Sequence, residues 1–140
     1  MMLTRTLIVV FLGCGVMTFA QQPPAENTPT AADLVYDTFC KKDEKEKRRL
    51  FRAATRAQKS ALARAQLERW RDANRARLSQ EQLTVVQELW NMATPEMFEG
   101  TEDGKARLAS FEARADAAFS GRQMDEISPY GPCIPAAAKK

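Results

Sequence analysis

An all-α fold, a small bundle of four to five helices between a disordered N-terminal tether and an extended C-terminal tail, follows from three features of this sequence. Thr55 is followed three residues later by Gln58, and Ser79 by Gln82. In this spacing an N-cap side chain and the third helical residue satisfy each other's backbone N–H groups. Apolar residues after each cap recur at intervals of three and four, the period of a helix with one buried face. No stretch carries the strict alternation that predicts a strand.

The elements follow in order. Residues 1–20 hold one positive charge at Arg5 and then an apolar run from Leu7 to Phe19, which predicts a signal peptide cut after Thr18-Phe19-Ala20. Phe11-Leu12-Gly13-Cys14 loosely resembles a lipoprotein box and offers lipidation at Cys14 as an alternative, and an uncleaved anchor is a third outcome. The expected location is therefore exported, secreted or periplasmic. Residues 21–30 lack the apolar content to bury anything and predict a disordered tether, residues 31–135 one helical domain, and residues 136–140 a disordered tail. Thr30 with Asp33 opens a helix containing Leu34, Tyr36, Phe39 and Cys40. Residues 41–49 fit two arrangements. Either one long helix runs through them with an Asp43–Lys47 pair, or Asp43, with Glu46 three residues on, caps a second helix after a break.

Thr55 opens a long helix, predicted over 56–76, with Leu62, Ala63, Gln66, Leu67, Trp70 and Ala73 on its buried arc and Arg64, Glu68, Arg71 and Arg75 on the other. The segment 78–93 states its structure most fully and is the natural organising element. Leu78 and Leu83 flank the Ser79 cap as a hydrophobic staple, and Leu83, Val86, Leu89, Trp90 and Ala93 form one face. Thr94-Pro95-Glu96 predicts a short turn ended by Gly100, residues 101–104 a loop, and Lys105 onward a helix with Leu108, Phe111, Ala115, Ala118 and Phe119 inward, ended by Gly121. A brief turn through Met124 and Ile127 leads to the extended tail Tyr130-Gly131-Pro132-Cys133-Ile134-Pro135.

The charge of +3 hides a division. Residues 41–77 hold 14 Lys or Arg against 5 Asp or Glu, and residues 78–128 hold 4 against 10, so the two halves are expected to pack together and neutralise each other. The functional alternative is a basic face, Arg64, Arg71 and Arg75, for an acidic partner, lipid headgroups or an anionic envelope polymer. There is no histidine, hence no usual general base or imidazole metal ligand. Beyond the signal only Cys40 and Cys133 remain, too few for a structural zinc site, and in an oxidising compartment they are expected to form a disulfide. No phosphate loop or C-x-x-C site is present, and the basic stretch lacks the interleaved aromatics of a single-strand binder. The sequence predicts no enzyme, no cofactor, no metal, no nucleic-acid partner and no transmembrane helix in the mature form. It leaves the partner and the oligomeric state open.

Two family resemblances arise along these helices. The run Phe51-Arg52-Ala53-Ala54-Thr55, then Lys59, Leu62, Leu67 and Trp70, then Leu78-Ser79-Gln80-Glu81-Gln82 and Glu96-Met97-Phe98, resembles proteins described as bacteriocin fulvocin C-related, over about residues 50–125. This implies a small exported protein related to a secreted antibacterial polypeptide. Leu83-Thr84-Val85-Val86-Gln87 matches the L-T-x-x-Q motif of periplasmic chaperones of the Spy and CpxP type, and Leu78-Ser79-Gln80-Glu81-Gln82 matches it with Ser for Thr. That resemblance implies a helical, cradle-shaped dimer that holds unfolded clients. With no catalytic group in the sequence, the expected mode of action is binding.

Overall fold

The computed structural model describes residues 29–136. The segment expected to be a signal peptide, with Cys14, nearly all of the expected tether, and residues 137–140 lie outside the described residues. Within them the chain is all-α, with six helices and no strand: α1 (Tyr36–Phe39), α2 (Glu44–Ala53), α3 (Arg56–Asn74), α4 (Gln80–Met92), α5 (Glu102–Ala118) and α6 (Gly121–Ile127). Short 3-10 turns occupy Ala32–Leu34, Arg75–Arg77 and Pro95–Phe98.

The caps set the boundaries. Thr30 and Asp33 bond reciprocally through side chain and backbone, yet the helix they open closes after one turn because Val35 is extended. The continuous first helix is therefore split into a 3-10 turn and the single turn α1. A second break follows, and Asp43 caps α2 by accepting from the Glu46 N–H. The capped alternative is the one adopted, and the Lys47 ammonium points elsewhere. Thr55 and Ser79 form the two reciprocal capping boxes. Ser120 with Gln123 forms a third, so Gly121 begins α6 where the sequence reading had it end α5, and the turn through Met124 and Ile127 is a two-turn helix. Thr101 caps α5 through the Gly104 N–H, which starts that helix at Glu102 and puts Gly104 inside its first turn. Gly100, at φ 76°, closes the preceding turn.

The hub is α3, not α4. Leu67 and Trp70 join Val85, Val86 and Leu89 of α4, Ala115 of α5, Phe119 and Ile127 of α6 in the largest buried cluster. Leu62 joins Leu34, Tyr36, Phe39, Cys40, Leu50 and Phe51 in a second, and Ala63 joins Ala93 and Met97 in a third. Three faces of one helix thus anchor three small cores, while α4 reaches one of them. The buried face of α4 is also rotated from the expected one: Val85 is fully buried, whereas Leu83 and Trp90 are half-exposed. Ala73, expected on the buried arc of α3, is exposed.

Opposite charge in the two halves is not neutralised chiefly across them. Arg56–Glu99 spans the halves at 2.5 Å, but Arg48–Glu44, Arg49–Glu46, Arg107–Asp103 and Arg114–Glu88 pair within one half.

Candidate functional site

Two features of the fold gather side chains from distant parts of the chain: a polar strap that fastens the C-terminal segment, and an apolar groove beside it.

The strap is built from side chains on the first three helices. Cys40 and Cys133 lie at disulfide-bonding distance, with Cα atoms 4.8 Å apart, within the range a bridge requires. Lys47, on the apolar face of α2 beside Leu50 and Phe51, is buried and donates to the carbonyls of Tyr130 (3.1 Å) and Gly131 (2.8 Å). Burial pushes its ammonium below the ordinary value, and Glu44 works against that. Gln66, fully buried on α3, accepts from the Tyr36 hydroxyl and donates to the carbonyls of Glu126 (2.7 Å) and Pro132 (3.0 Å). The Ile134 N–H donates to the Tyr36 hydroxyl, and Arg69 donates to the Ile134 carbonyl, lies over the Tyr36 ring and pairs with Asp37. The extended tail has no sheet to satisfy its backbone, and these side chains supply the partners.

The strap in turn forms one wall of the groove. Ser128, Pro129 and Tyr130 face Leu108, Phe111 and Glu112 of α5, with Ala63 and Leu67 of α3, Phe51, Met97, Phe98, Met124 and Ile127 completing a cavity of about 350 Å³. Its existence follows from small and half-used positions. Ala63 leaves room on α3, and Leu108 and Phe111, expected in the core, are exposed and half-buried respectively. Leu108 and Val35 are the large hydrophobic side chains left exposed among the described residues. Phe51 packs edge to face against both Phe98 (5.8 Å) and Tyr130 (5.4 Å), making the opposite wall aromatic. Cations sit against that wall: the Arg48 guanidinium is 4.4 Å from the Tyr130 ring centre, and the Lys59 ammonium 5.9 Å from that of Phe51. Burial pushes the Tyr130 phenol up, with Arg48 and Arg52 opposing it.

The three arginines read as a basic face are not gathered into one. Arg64 turns onto α4, donating to the Trp90 carbonyl at 3.0 Å with its guanidinium 4.1 Å above the Trp90 ring. Glu68, from the same arc, accepts from the Trp90 indole N–H. Arg71 and Arg75 instead share Asp72, at 3.0 and 3.4 Å. Sequence reasoning thus brought Cys40 and Cys133 together and did not find the groove, whose residues carry the same helical spacing as core. Lys47, a lysine in an apolar stripe, was a visible signal of the strap rather than of the groove. Among the described residues no group of three His, Cys, Asp or Glu side chains is placed to hold a metal ion, and no helix is long and apolar enough to cross a membrane.

Comparison of the chain with protein-family models, with curated proteins and with solved structures gives no match.

Proposed function

We propose that this is an exported, non-catalytic protein that acts by binding at the cell envelope, with the groove between α5 and the C-terminal strap as its working surface. The observation that carries the reading is the groove itself: a cavity of about 350 Å³ walled by aromatic, methionine and aliphatic side chains, with Leu108 exposed at its edge. Ligand sites are concave, mostly apolar and of this order of size. Export rests on the apolar run of residues 1–20 and accords with the paired cysteines. Whether such binding serves an antibacterial, bacteriocin-related role is tested by growth inhibition with the oxidised protein beside a Cys40→Ser, Cys133→Ser variant. Killing that requires the disulfide supports that role.

The groove reading is tested by titrating the oxidised protein with an apolar fluorophore whose emission rises on burial. Saturable binding lost in Leu108→Glu, with helical content unchanged, is the expected result. Equal binding by the variant moves the site elsewhere. A second reading, a Spy-like chaperone holding unfolded clients, is favoured by Met97 and Met124 in the lining, since methionine adapts to varied apolar shapes. It requires suppression of client aggregation at near-stoichiometric protein, sensitive to the same substitution.

A further inference from the structure

The groove carries one formal charge in its lining, and it is negative. No Lys or Arg lines the cavity; Glu112 does, from the α5 wall, with Ser128 and the Tyr130 phenol as the other polar side chains. The Glu112 carboxylate has no ion pair or hydrogen bond among the described residues. Its own helix offers no cation, since the positions three and four residues away are Leu108, Ala109, Ala115 and Asp116, and Arg114 turns to Glu88 of α4. Leu108, one turn before Glu112, is the exposed apolar side chain at the edge of the groove. An unpaired anion and an open apolar surface therefore adjoin.

The rings of Phe51, Phe98, Phe111 and Tyr130 line the same cavity, and Phe51 meets Phe98 at 75° and Tyr130 at 78°, so they present faces in more than one direction. The face of an aromatic ring attracts a cation, most strongly one stripped of water. Tyr130 and Phe51 already have Arg48 and Lys59 against them, neither of which lines the cavity, whereas Phe98 and Phe111 have no cation among the described residues. Positive charge entering the groove is thus drawn to the α5 side, where Phe111 precedes Glu112 in the chain.

The lining is also poor in free hydrogen-bonding groups. Ser128 spends its N–H on the Met124 carbonyl, its carbonyl on the Gly131 N–H and its hydroxyl oxygen on the Tyr130 N–H. Pro129 has no N–H, and Lys47 takes the carbonyls of Tyr130 and Gly131. A peptide backbone would leave its N–H and C=O groups unpartnered here, and a primary ammonium its donors. A quaternary ammonium carries its charge with no N–H. The cavity holds roughly a dozen water-sized groups, at about 30 Å³ each, the size of one ring bearing one trimethylammonium head.

Resting on the reading of the groove as a binding surface, we propose that its occupant is a small organic quaternary ammonium ion, with the charged head between Glu112 and Phe111 and the apolar body between α5 and the strap. Glu112 is exposed, so the head stays partly hydrated and the ion pair adds roughly threefold to fivefold in affinity. A ring face beside the head adds a further factor of roughly twofold to fivefold.

The test uses the full chain, expressed as encoded and purified in its oxidised form, titrated with benzyltrimethylammonium, benzylammonium, phenylacetate and neopentylbenzene, the last being the neutral isostere of the first, and followed by NMR of the probe. Benzyltrimethylammonium should bind saturably and more tightly than benzylammonium or phenylacetate. Glu112→Gln should weaken it threefold to fivefold and Phe111→Leu twofold to fivefold, with helical content unchanged, while Glu112→Gln leaves neopentylbenzene as it was. Equal affinity of the parent and Glu112→Gln for benzyltrimethylammonium overturns the proposal, and tighter binding of benzylammonium overturns the quaternary assignment. Binding of neopentylbenzene or the apolar fluorophore without benzyltrimethylammonium overturns the cationic occupant alone, whereas silence from all of them removes the groove. Affinity confined to a capped leucine–lysine peptide, with none for benzyltrimethylammonium, overturns the proposal in favour of a protein client.

Discussion

Arg64 and Lys47 show how far a side chain's role departs from its residue type. Arg64 supplies a charge-assisted hydrogen bond and a cation–π contact to α4, while Arg71, seven residues on along the same helix, rests on Asp72 at the surface. Replacing Arg64 by Ala should therefore cost about 1–3 kcal/mol, and replacing Arg71 by Ala less than about 0.5 kcal/mol. Denaturant unfolding of the two variants separates them; equal losses would show that the Arg64–Trp90 contact contributes nothing. Lys47 is the more demanding case. Its ammonium is buried without a bonded carboxylate, and what keeps it is the pair of strap carbonyls, Tyr130 and Gly131. Lys47→Met fills the space but strands both acceptors, so a loss of about 1–3 kcal/mol is expected, against about 1 kcal/mol or less for Arg48→Met, which gives up the exposed Glu44 pair and the contact over the Tyr130 ring. A Lys47→Met variant as stable as the parent would show that water replaces the ammonium there.

At the scale of elements, the caps were legible and the packing was not. Thr55, Ser79 and Asp43 mark helix starts because a cap is a local transaction between residues three apart, and the sequence contains all of it. Ser120 with Gln123 carries the same signature, yet Gly121 beside it reads equally well as a helix end, and only the packing of Ile127 against α3 and α4 decides. The rotation of α4 toward Val85 and the exposure of Leu108 have the same origin: periodicity defines an apolar face, and the neighbours choose which part of it to cover. The groove lies in that difference, which is why the sequence held its residues without revealing it. Gly104 makes the point quantitatively. Alanine is favoured over glycine in a helix by about 1 kcal/mol, but a Cβ here would stand 2.8 Å from the Glu96 carbonyl oxygen, where the Pro95–Phe98 turn crosses α5. Gly104→Ala should thus destabilise by about 1–2 kcal/mol despite its propensity. A rise in melting temperature would mean that the turn and α5 do not pack this closely.

For the whole molecule, a link between Cys40 and Cys133 closes a loop across a sequence separation of 93 residues, nearly the whole described fold. In the chain-entropy model this is worth about 4–5 kcal/mol, a large share of the roughly 5–15 kcal/mol available to a domain. Reduction should lower the melting temperature by on the order of 20 °C yet leave the protein helical at 25 °C, since Lys47, Gln66 and Arg69 still hold the strap. Complete loss of helical circular dichroism on reduction would show those bonds to be insufficient. The strap also sets how stability responds to pH. At the acid end Asp33 and Glu46 are held below their ordinary values, by the Thr30 backbone N–H and by Arg49 respectively, so their contribution is present above about pH 4.5 and fades as pH falls; both are exposed, and the loss is shallow. At the alkaline end the buried groups act. Tyr36 and Tyr130 are pushed above the ordinary 10.0 by burial, so the native state keeps phenolic protons that the unfolded chain releases, and stability falls as pH rises beyond 10. Lys47, pushed below 10.5, has the opposite sign, adding stability as pH climbs toward that value. The phenols withdraw stability above about pH 10 while the ammonium adds it below 10.5, so the two signs are separated by substitution. Tyr130→Phe is the cleaner probe, because Tyr36 also bonds Gln66. The variant should match the parent at pH 7 and lose less between pH 10 and 11.5. Superimposable alkaline limbs would mean that Tyr130 is as accessible folded as unfolded, and that the wall of the groove it forms is open to water.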